Sequence, residues 1–94
     1  MLRIRSIFPL NMPENQAPYT EHFMNIIGPN IRDKRIKLGL SQKDLVARCN
    51  LLGWDISRGT LAKIESKTRK LSDGEVLCLA KALKVKVGDL FEGL

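Results

Sequence analysis

The feature that most restricts how this chain can fold is the close spacing of residues that begin and end helices. Apolar residues recur at helical spacing in short stretches, and each stretch lies between a start signal and a stop signal. Gly28-Pro29 places proline at a first helical position, and Gly39 ends that helix. The capping-box pattern Ser41-Gln-Lys-Asp44 begins a second helix, which Gly53 stops. Only short helices fit these intervals.

The remaining start signals predict three more helices. Ser57 is a good cap for a third helix, Ser72-Asp-Gly-Glu75 is another capping box, and a last short turn spans Gly88 to Glu92. The inward faces of the five helices are predicted to hold, in order, Ile31, Arg35 and Leu38; Leu45, Val46, Cys49 and Leu52; Leu61 and Ile64; Val76, Leu77, Leu79, Ala80 and Leu83; and Leu90 and Phe91. Because no segment has a strand period, the prediction is an all-α domain with one small core.

The first 23 residues differ from the rest of the 94-residue chain. They hold three of its four prolines and are polar over NMPENQAPYTEH, which predicts a flexible arm. The alternation over residues 2–5 could instead form one short strand against a partner. A third reading makes residues 1–23 an upstream extension, with Met24 as the true initiator. The domain itself is predicted to cover residues 24–94.

The positive charge is concentrated in the predicted domain. The formal net charge is +6, and residues 1–27 hold as many cations as anions, so the whole excess lies in residues 28–94. A compact basic domain favours polyanionic partners, with nucleic acid first and an anionic membrane second.

The residue types that carry chemistry are scarce. Cys49 and Cys78 lie in apolar helical stretches far from the single histidine, His22, so they make no zinc site and are predicted to be free thiols in a reducing cytoplasm. No phosphate loop or metal-spaced cluster is present, so we predict no cofactor and no enzyme. No apolar run reaches membrane-spanning length, and the N-terminus lacks a signal-peptide pattern.

The outward face of the third helix suggests a binding surface. Gly59 costs a helix about 1 kcal/mol relative to alanine, and Arg58 works against the helix dipole. Both features would serve a helix N-terminus aimed at a phosphate or a base edge. Arg58 could bond bidentately to guanine, and Lys63 could reach a neighbouring base or phosphate. The alternative is an exposed basic surface that binds no ligand, on which Gly59 has no function.

Three motifs resemble the Cro/C1 repressor-type (XRE) helix-turn-helix family. They are KRIKLGLSQ, SRGTLAKIE and LAKALKVKVGDLF, which fall in the family's order within a match from about residue 27 to residue 91. The resemblance implies a compact five-helix, lambda-repressor-like DNA-binding domain. Helices two and three would form the DNA-binding pair.

The resemblance also assigns roles by position. Residues at base-reading positions are Arg58, Gly59 and Lys63. Gln42 would touch a phosphate and help orient the third helix, and Arg35 and Glu65 would form a buried or half-buried ion pair. Thr60 and Ser66 fall at positions of phosphate or flanking contacts. Apart from the resemblance, the charge pattern predicts that Lys67, Arg69 and Lys70 lie along the DNA backbone, and Ser57 is also a predicted phosphate contact.

The chain departs from the family pattern in three places. Residues 42–57 are several residues longer, which predicts a longer second helix or a wider turn. Gly59 has no side chain at a usual base-reading position. Lys84 and Lys86 replace the usual glycine and polar cap, which predicts a less regular end there. Trp54, in the longer stretch, is predicted to pack in the core or the turn.

The sequence therefore predicts a sequence-specific transcriptional regulator of bacterial, phage or mobile-element type. It would repress from the cytoplasm by occupying an inverted-repeat operator as a homodimer. The first candidate dimer surface is helix five with Val87, Leu90 and Phe91, and the second is the arm at residues 1–23. The alternative is an antitoxin or another protein-interaction module.

Overall fold

The computed structural model describes residues 25–94, which form a wholly helical domain. The predictions made for residues 1–23 lie outside this part of the chain. In chain order the elements are α1 (Gly28–Lys37), α2 (Gln42–Leu51), α3 (Arg58–Glu65), α4 (Asp73–Leu83) and a 3-10 helix (Val87–Phe91). Residues 25–94 contain no strand, and the all-α prediction is confirmed; the fifth predicted helix is the short 3-10 helix.

The serine caps begin three of the helices. The hydroxyls of Ser41 and Ser72 each accept a hydrogen bond from the backbone amide three residues on. The carboxylates of Asp44 and Glu75 each accept one from the serine amide, which completes both capping boxes. Ser57 caps α3 without an acidic partner. Each cap satisfies an amide that a helix end leaves free, so the serines fix where these helices start.

The core lies where α3 meets α1 and α2, and where α4 meets α1, α2 and the 3-10 helix. Leu61 and Ile64 of α3 are both fully buried. The other large, fully buried apolar side chains come from α1, α2, α4 and the 3-10 helix: Ile31, Leu45, Cys49, Leu79, Leu83 and Leu90. One helix, α3, is thus buried along one side and exposed along the other.

Four residues predicted to face inward are exposed. Leu38 and Leu52 each follow the last residue of their helix, so the helical period no longer directs their side chains inward. Leu77 lies within α4 but off its buried stripe, with 47% of its surface exposed. In the 3-10 helix Leu90 is fully buried, and the turn geometry then carries Phe91 outward to 41% exposure.

The longer stretch between Gln42 and Ser57 is divided between α2 and a wide turn. The helix ends at Leu51, and the turn takes residues 52–57. Gly53 adopts a left-handed backbone there, and Trp54 is half-buried against the core. The turn is therefore packed onto the domain at its tryptophan.

The end of α4 is regular, although the sequence predicts the opposite. Lys84 adopts a left-handed conformation with φ of 59°. Its amide bonds to the Lys81 carbonyl at 3.1 Å, and the Val85 amide bonds to the Ala80 carbonyl at 2.9 Å. Glycine usually occupies this left-handed position at a helix end. Lys84 keeps the hydrogen bonds that close the helix, but its side chain makes the left-handed backbone conformation unfavourable.

Replacing Lys84 with glycine is expected to stabilise the domain by about 0.5–1 kcal/mol, because glycine takes the left-handed conformation without strain. Urea denaturation would measure the change. Lys81→Gly is the matched control: Lys81 lies within α4, so its replacement is expected to destabilise by about 1 kcal/mol. A midpoint for Lys84→Gly at or below the parent's would contradict the assignment of strain to this residue.

Candidate nucleic-acid interface

The residues predicted to read bases lie together on the exposed side of α3. Arg58 is the first residue of the helix, and Gly59 and Lys63 are one turn apart on the same face. All three are exposed, whereas Leu61 and Ile64 on the opposite side are fully buried. None of the described residues covers this face.

A buried ion pair holds the end of α3 against α1. The Arg35 guanidinium of α1 donates from Nε to Glu65 Oε2 at 2.7 Å and from Nη2 to Glu65 Oε1 at 3.1 Å. Its Nη1 donates to the Leu40 carbonyl at 2.8 Å. Arg35 is 8% exposed and Glu65 is 6% exposed, so both charges have lost most of their water and depend on each other. The two residues therefore meet as the family resemblance implies.

Gln42 connects this ion pair to the start of α3. Its Nε2 donates to Glu65 Oε1 at 3.1 Å, and its Oε1 accepts from Arg58 Nε at 3.4 Å. The amide therefore links both ends of α3 from the first turn of α2. These contacts run from Arg35 through Glu65 and Gln42 to Arg58. They support the Arg58 side chain on the side that faces the protein.

The hydroxyls at the start of α3 are already ordered. Ser57 Oγ accepts from the Thr60 amide at 3.1 Å and donates to Thr60 Oγ1 at 3.0 Å. Its proton is thus used within the helix cap. Thr60 Oγ1 accepts in that contact and keeps its own proton for an outside acceptor. Of the two predicted phosphate-binding hydroxyls at this end, Thr60 is the one equipped to donate.

Gly59 is not required by the packing of the protein. Among the described residues, a Cβ built on it would meet only Ser57 Oγ, at 3.9 Å. Its backbone φ is not in the left-handed region that favours glycine. The helix therefore carries the destabilising effect of a glycine without an internal reason for it.

The other end of α3 closes on a left-handed lysine. Lys67 has φ of 67°, its amide bonds to the Ile64 carbonyl, and the Thr68 amide bonds to the Lys63 carbonyl. The Ser66 hydroxyl lies 3.2 Å from the Lys63 carbonyl and 3.0 Å from Thr68 Oγ1. Ser66 thus belongs to the C-terminal turn of α3, away from Arg58 and Gly59.

Two of the predicted phosphate-binding cations follow Lys67, and within residues 25–94 only Arg69 is paired with a carboxylate. Arg69 donates to both carboxylate oxygens of Glu75, at 3.1 and 3.2 Å, so its charge is paired with a carboxylate of α4. Lys70 is exposed, and no described residue accepts a hydrogen bond from its ammonium. Lys70 is therefore better placed than Arg69 to meet a phosphate.

Glu75 makes this pairing sensitive to acid. Burial raises the pKa of Glu75, but the hydrogen bonds from Arg69 and the Ser72 amide, with the charge of Arg69, bring the pKa below its usual 4.5. A lowered folded-state pKa adds stability that is present above the usual value and is lost as pH falls through the folded value.

Between about pH 5 and about pH 3, the parent is expected to lose more stability than a Glu75→Gln variant, because only the parent carries this carboxylate. Urea denaturation at a series of pH values would measure both curves. Equal losses in the two proteins would show that Arg69 and the Ser72 amide do not lower the pKa of Glu75 in the folded protein.

Two residues that the sequence did not connect with the site, Asn25 and Gly28, fix the position of α3. Asn25 is 2% exposed, and its Nδ2 donates to the Ile64 carbonyl at 2.7 Å and to the Arg69 carbonyl at 2.8 Å. A Cβ on Gly28 would lie 2.3 Å from the Ile64 carbonyl oxygen. The start of α1 can therefore approach the end of α3 only because residue 28 is glycine.

The described residues offer little for other chemistry. Burial raises the pKa of the Cys49 thiol to about 12, with Cys78 as the next cause, so this thiol is unreactive. Both cysteines are free. Residues 25–94 contain no group of three or more acidic, histidine or cysteine side chains that could hold a metal ion. None of the helices in this part is long and apolar enough to cross a membrane.

Comparison with known proteins agrees with this geometry. The helix-turn-helix family profile matches residues 31–90, which include α2, α3 and the turn that joins them. No curated protein and no solved structure matches the chain. Because the profile covers well over half of the chain, the protein belongs to the Cro/C1-type helix-turn-helix family of DNA-binding regulators.

Proposed function

We propose that the protein is a sequence-specific regulator that represses transcription by occupying its operator, with α3 in the major groove. The observation that carries this proposal is the exposed face of Arg58, Gly59 and Lys63 on a helix anchored from behind. A helix that reads bases in the major groove must be held rigidly, because a small change in its angle moves every base contact. The buried contacts of Glu65 provide that rigidity.

The contact with Gln42 determines which part of Arg58 is left for DNA. Gln42 accepts from Nε, so the two terminal nitrogens of the guanidinium stay free. A pair of terminal N–H groups matches the O6 and N7 acceptors of guanine in the major groove. Arg58 would thus read guanine, and Lys63, about one turn along α3, would contact a neighbouring base.

Phosphate contacts would surround this pair. Gln42 keeps one amide N–H beyond its bond to Glu65, and Thr60 keeps its hydroxyl proton. Lys67 and Lys70 supply charge at the other end of α3, while Arg69 would have to share its charge with Glu75. Ser57 and Ser66 spend their protons within the helix ends, so they would contribute through backbone amides or as acceptors.

A homodimer would give the operator its inverted repeat. Apolar side chains remain exposed at the C-terminal end of the domain, with Val87 at 38%, Phe91 at 41% and Leu94 at 66%. Leu90 is fully buried within the domain and would support this surface and not face the partner. Two copies joined here would present two α3 helices to half-sites about one helical turn apart.

Gly59 offers a test in which stability and binding change in opposite directions. Gly59→Ala is expected to stabilise the free protein by about 0.5–1 kcal/mol, because the added Cβ meets open space. The same methyl would occupy the gap between α3 and DNA, so operator affinity should fall. Thermal unfolding and a gel-shift titration would measure the two effects. Gly74→Ala, also open and in the first turn of α4, is the control that should change stability alone.

Selection of bound DNA from a random pool tests the function directly. An inverted repeat with guanine at a fixed place in each half-site is the expected result. Gel shifts with the selected duplex should lose affinity steeply as salt rises and still prefer it over unrelated DNA. Indifference to DNA at low salt would overturn the proposal and favour the protein-interaction module, such as an antitoxin.

A further inference from the structure

The turn that joins α2 to α3 is held by one side chain, that of Asn50. Its Nδ2 donates to the Trp54 carbonyl at 2.9 Å and to the Ile56 carbonyl at 3.3 Å. Asn50 is the residue before the last one of α2, and Ile56 immediately precedes Ser57, the cap of α3. One amide group therefore connects the end of α2 to the start of α3.

The rest of the turn has few other connections to α2. The Trp54 amide bonds to the Cys49 carbonyl at 3.0 Å, whereas the Ile56 amide bonds within the turn, to the Trp54 carbonyl. In the described domain, the contact from Asn50 is the only hydrogen bond that joins residues 55–57 to α2. The position of these residues relative to α2 therefore depends on this amide, together with the burial of the Ile56 side chain, which is 5% exposed.

The helix that carries Asn50 does not itself need an asparagine there. The side chain is exposed, and asparagine is less favourable within a helix than alanine, because its amide competes with the backbone for hydrogen bonds. Both carbonyls that it binds lie beyond the end of α2. The amide thus acts on the turn and not on the helix.

The start of α3 is the part of this helix that the turn controls. The end of α3 is anchored by Glu65 in the buried ion pair, whereas the Arg58 side chain meets α2 through its 3.4 Å contact with Gln42. Arg58 and Gly59 are the first two residues of α3 and follow Ile56 by two and three positions. A displacement of Ile56 would therefore move the two residues at the start of the proposed reading surface.

We propose that Asn50 is a positioning residue for base recognition: it fixes the α2–α3 turn and, through Ile56, holds Arg58 and Gly59 where DNA would meet them. In this role Asn50 contacts no base. Gln42 supports the Arg58 side chain, whereas Asn50 supports the backbone that carries it. This inference rests on the proposed function of α3 as the reading helix.

Asn50→Ala is expected to lower, by about tenfold, the preference of the protein for guanine at the position that Arg58 reads. Titration of the selected operator and its three single-position variants gives this preference as a ratio of affinities. A merely structural role would lower the folded fraction and weaken all four duplexes by one factor, which leaves the ratio unchanged. Asn50→Asp keeps the shape of the side chain but has no N–H to donate, so it should lose the preference as well. A ratio in Asn50→Ala equal to the parent's would overturn the inference.

The matched control is Asn30→Ala. The Asn30 amide also donates to two carbonyls, those of Leu90 and Glu92, at 2.8 and 3.0 Å, but it lies on α1 and holds the C-terminal end of the domain. This variant should keep the parent's ratio, because any change in dimerisation affects the four duplexes alike and cancels. An equal loss of preference in Asn30→Ala would overturn a specific role for Asn50.

Trp54 reports on the turn without DNA, because it is the single tryptophan of the chain and accepts from Asn50. In the free protein, Asn50→Ala should increase the quenching of Trp54 fluorescence by acrylamide, and Asn30→Ala should leave it at the parent's value. Unchanged quenching in Asn50→Ala would show that the amide does not hold the turn, which would overturn the inference while the proposed regulator stands. A parent that bound all duplexes alike would instead overturn the proposed function, and the positioning role with it.

Discussion

Replacing Glu65 with alanine is expected to lower the free energy of unfolding by about 3–5 kcal/mol, because it leaves a buried arginine charge without a partner. Arg35 makes two hydrogen bonds to this carboxylate and is 8% exposed, so water cannot replace the lost contacts without opening the domain. The substitution also removes the acceptor for Gln42. Urea denaturation of the purified chain, followed by circular dichroism, would measure the loss.

The matched control is Glu92→Ala. Glu92 pairs with Lys34 on the surface, where water screens both charges, so its removal should change stability little. A Glu65→Ala variant that unfolded at the same urea concentration as Glu92→Ala would show that the buried pair does not hold α3 against α1.

Local signals made the helices of this domain predictable. The serine caps and the glycine stops act within a few residues of the ends they fix, so the starts of α2, α3 and α4 could be placed from the sequence. The same signals failed one residue past a helix end. Leu38 and Leu52 keep the helical spacing in the sequence, but the helix has already ended and their side chains turn outward.

Contacts between distant residues were harder to anticipate. The Asn25 side chain bonds to carbonyls about forty positions away in the sequence. The residues next to an asparagine do not predict which carbonyls it will contact. The sequence pattern at Gly28 predicted the start of a helix. In the structure, its lack of a side chain also lets the Ile64 carbonyl of α3 pack closely against it. The ion pair of Arg35 and Glu65 was anticipated only through the family resemblance, because its two residues lie thirty positions apart.

The candidate site shows the same division. The exposed residues of α3 follow from helical spacing and two inward residues, Leu61 and Ile64. The sequence placed Arg69 and Lys70 together as phosphate contacts, but it could not show that Arg69 faces Glu75 across the start of α4. Pairing within the protein decides how much of a cation is left for a ligand, and that pairing is a property of the fold.

Replacing Arg58 with alanine is expected to weaken operator binding by about 1–3 kcal/mol, which corresponds to a loss of up to about a hundredfold. The loss should be confined to duplexes with guanine at the position that Arg58 reads, so the variant should bind all four base pairs there almost equally. Titration of the selected operator and its three single-position variants would measure this loss of preference. Stability should change little, because Arg58 is exposed and makes one long hydrogen bond.

Two other substitutions distinguish base recognition from electrostatic contact with the phosphates. Lys70→Ala removes an exposed cation and should weaken every duplex alike, reducing the slope of log affinity against log salt by about 1. Gln42→Ala touches no base, yet it should relax the preference at the same position as Arg58→Ala, because it releases Arg58 Nε from its support. If Arg58→Ala instead lowered affinity for all duplexes equally, as Lys70→Ala does, Arg58 would be a phosphate contact, and the base-reading surface would have to lie further along α3.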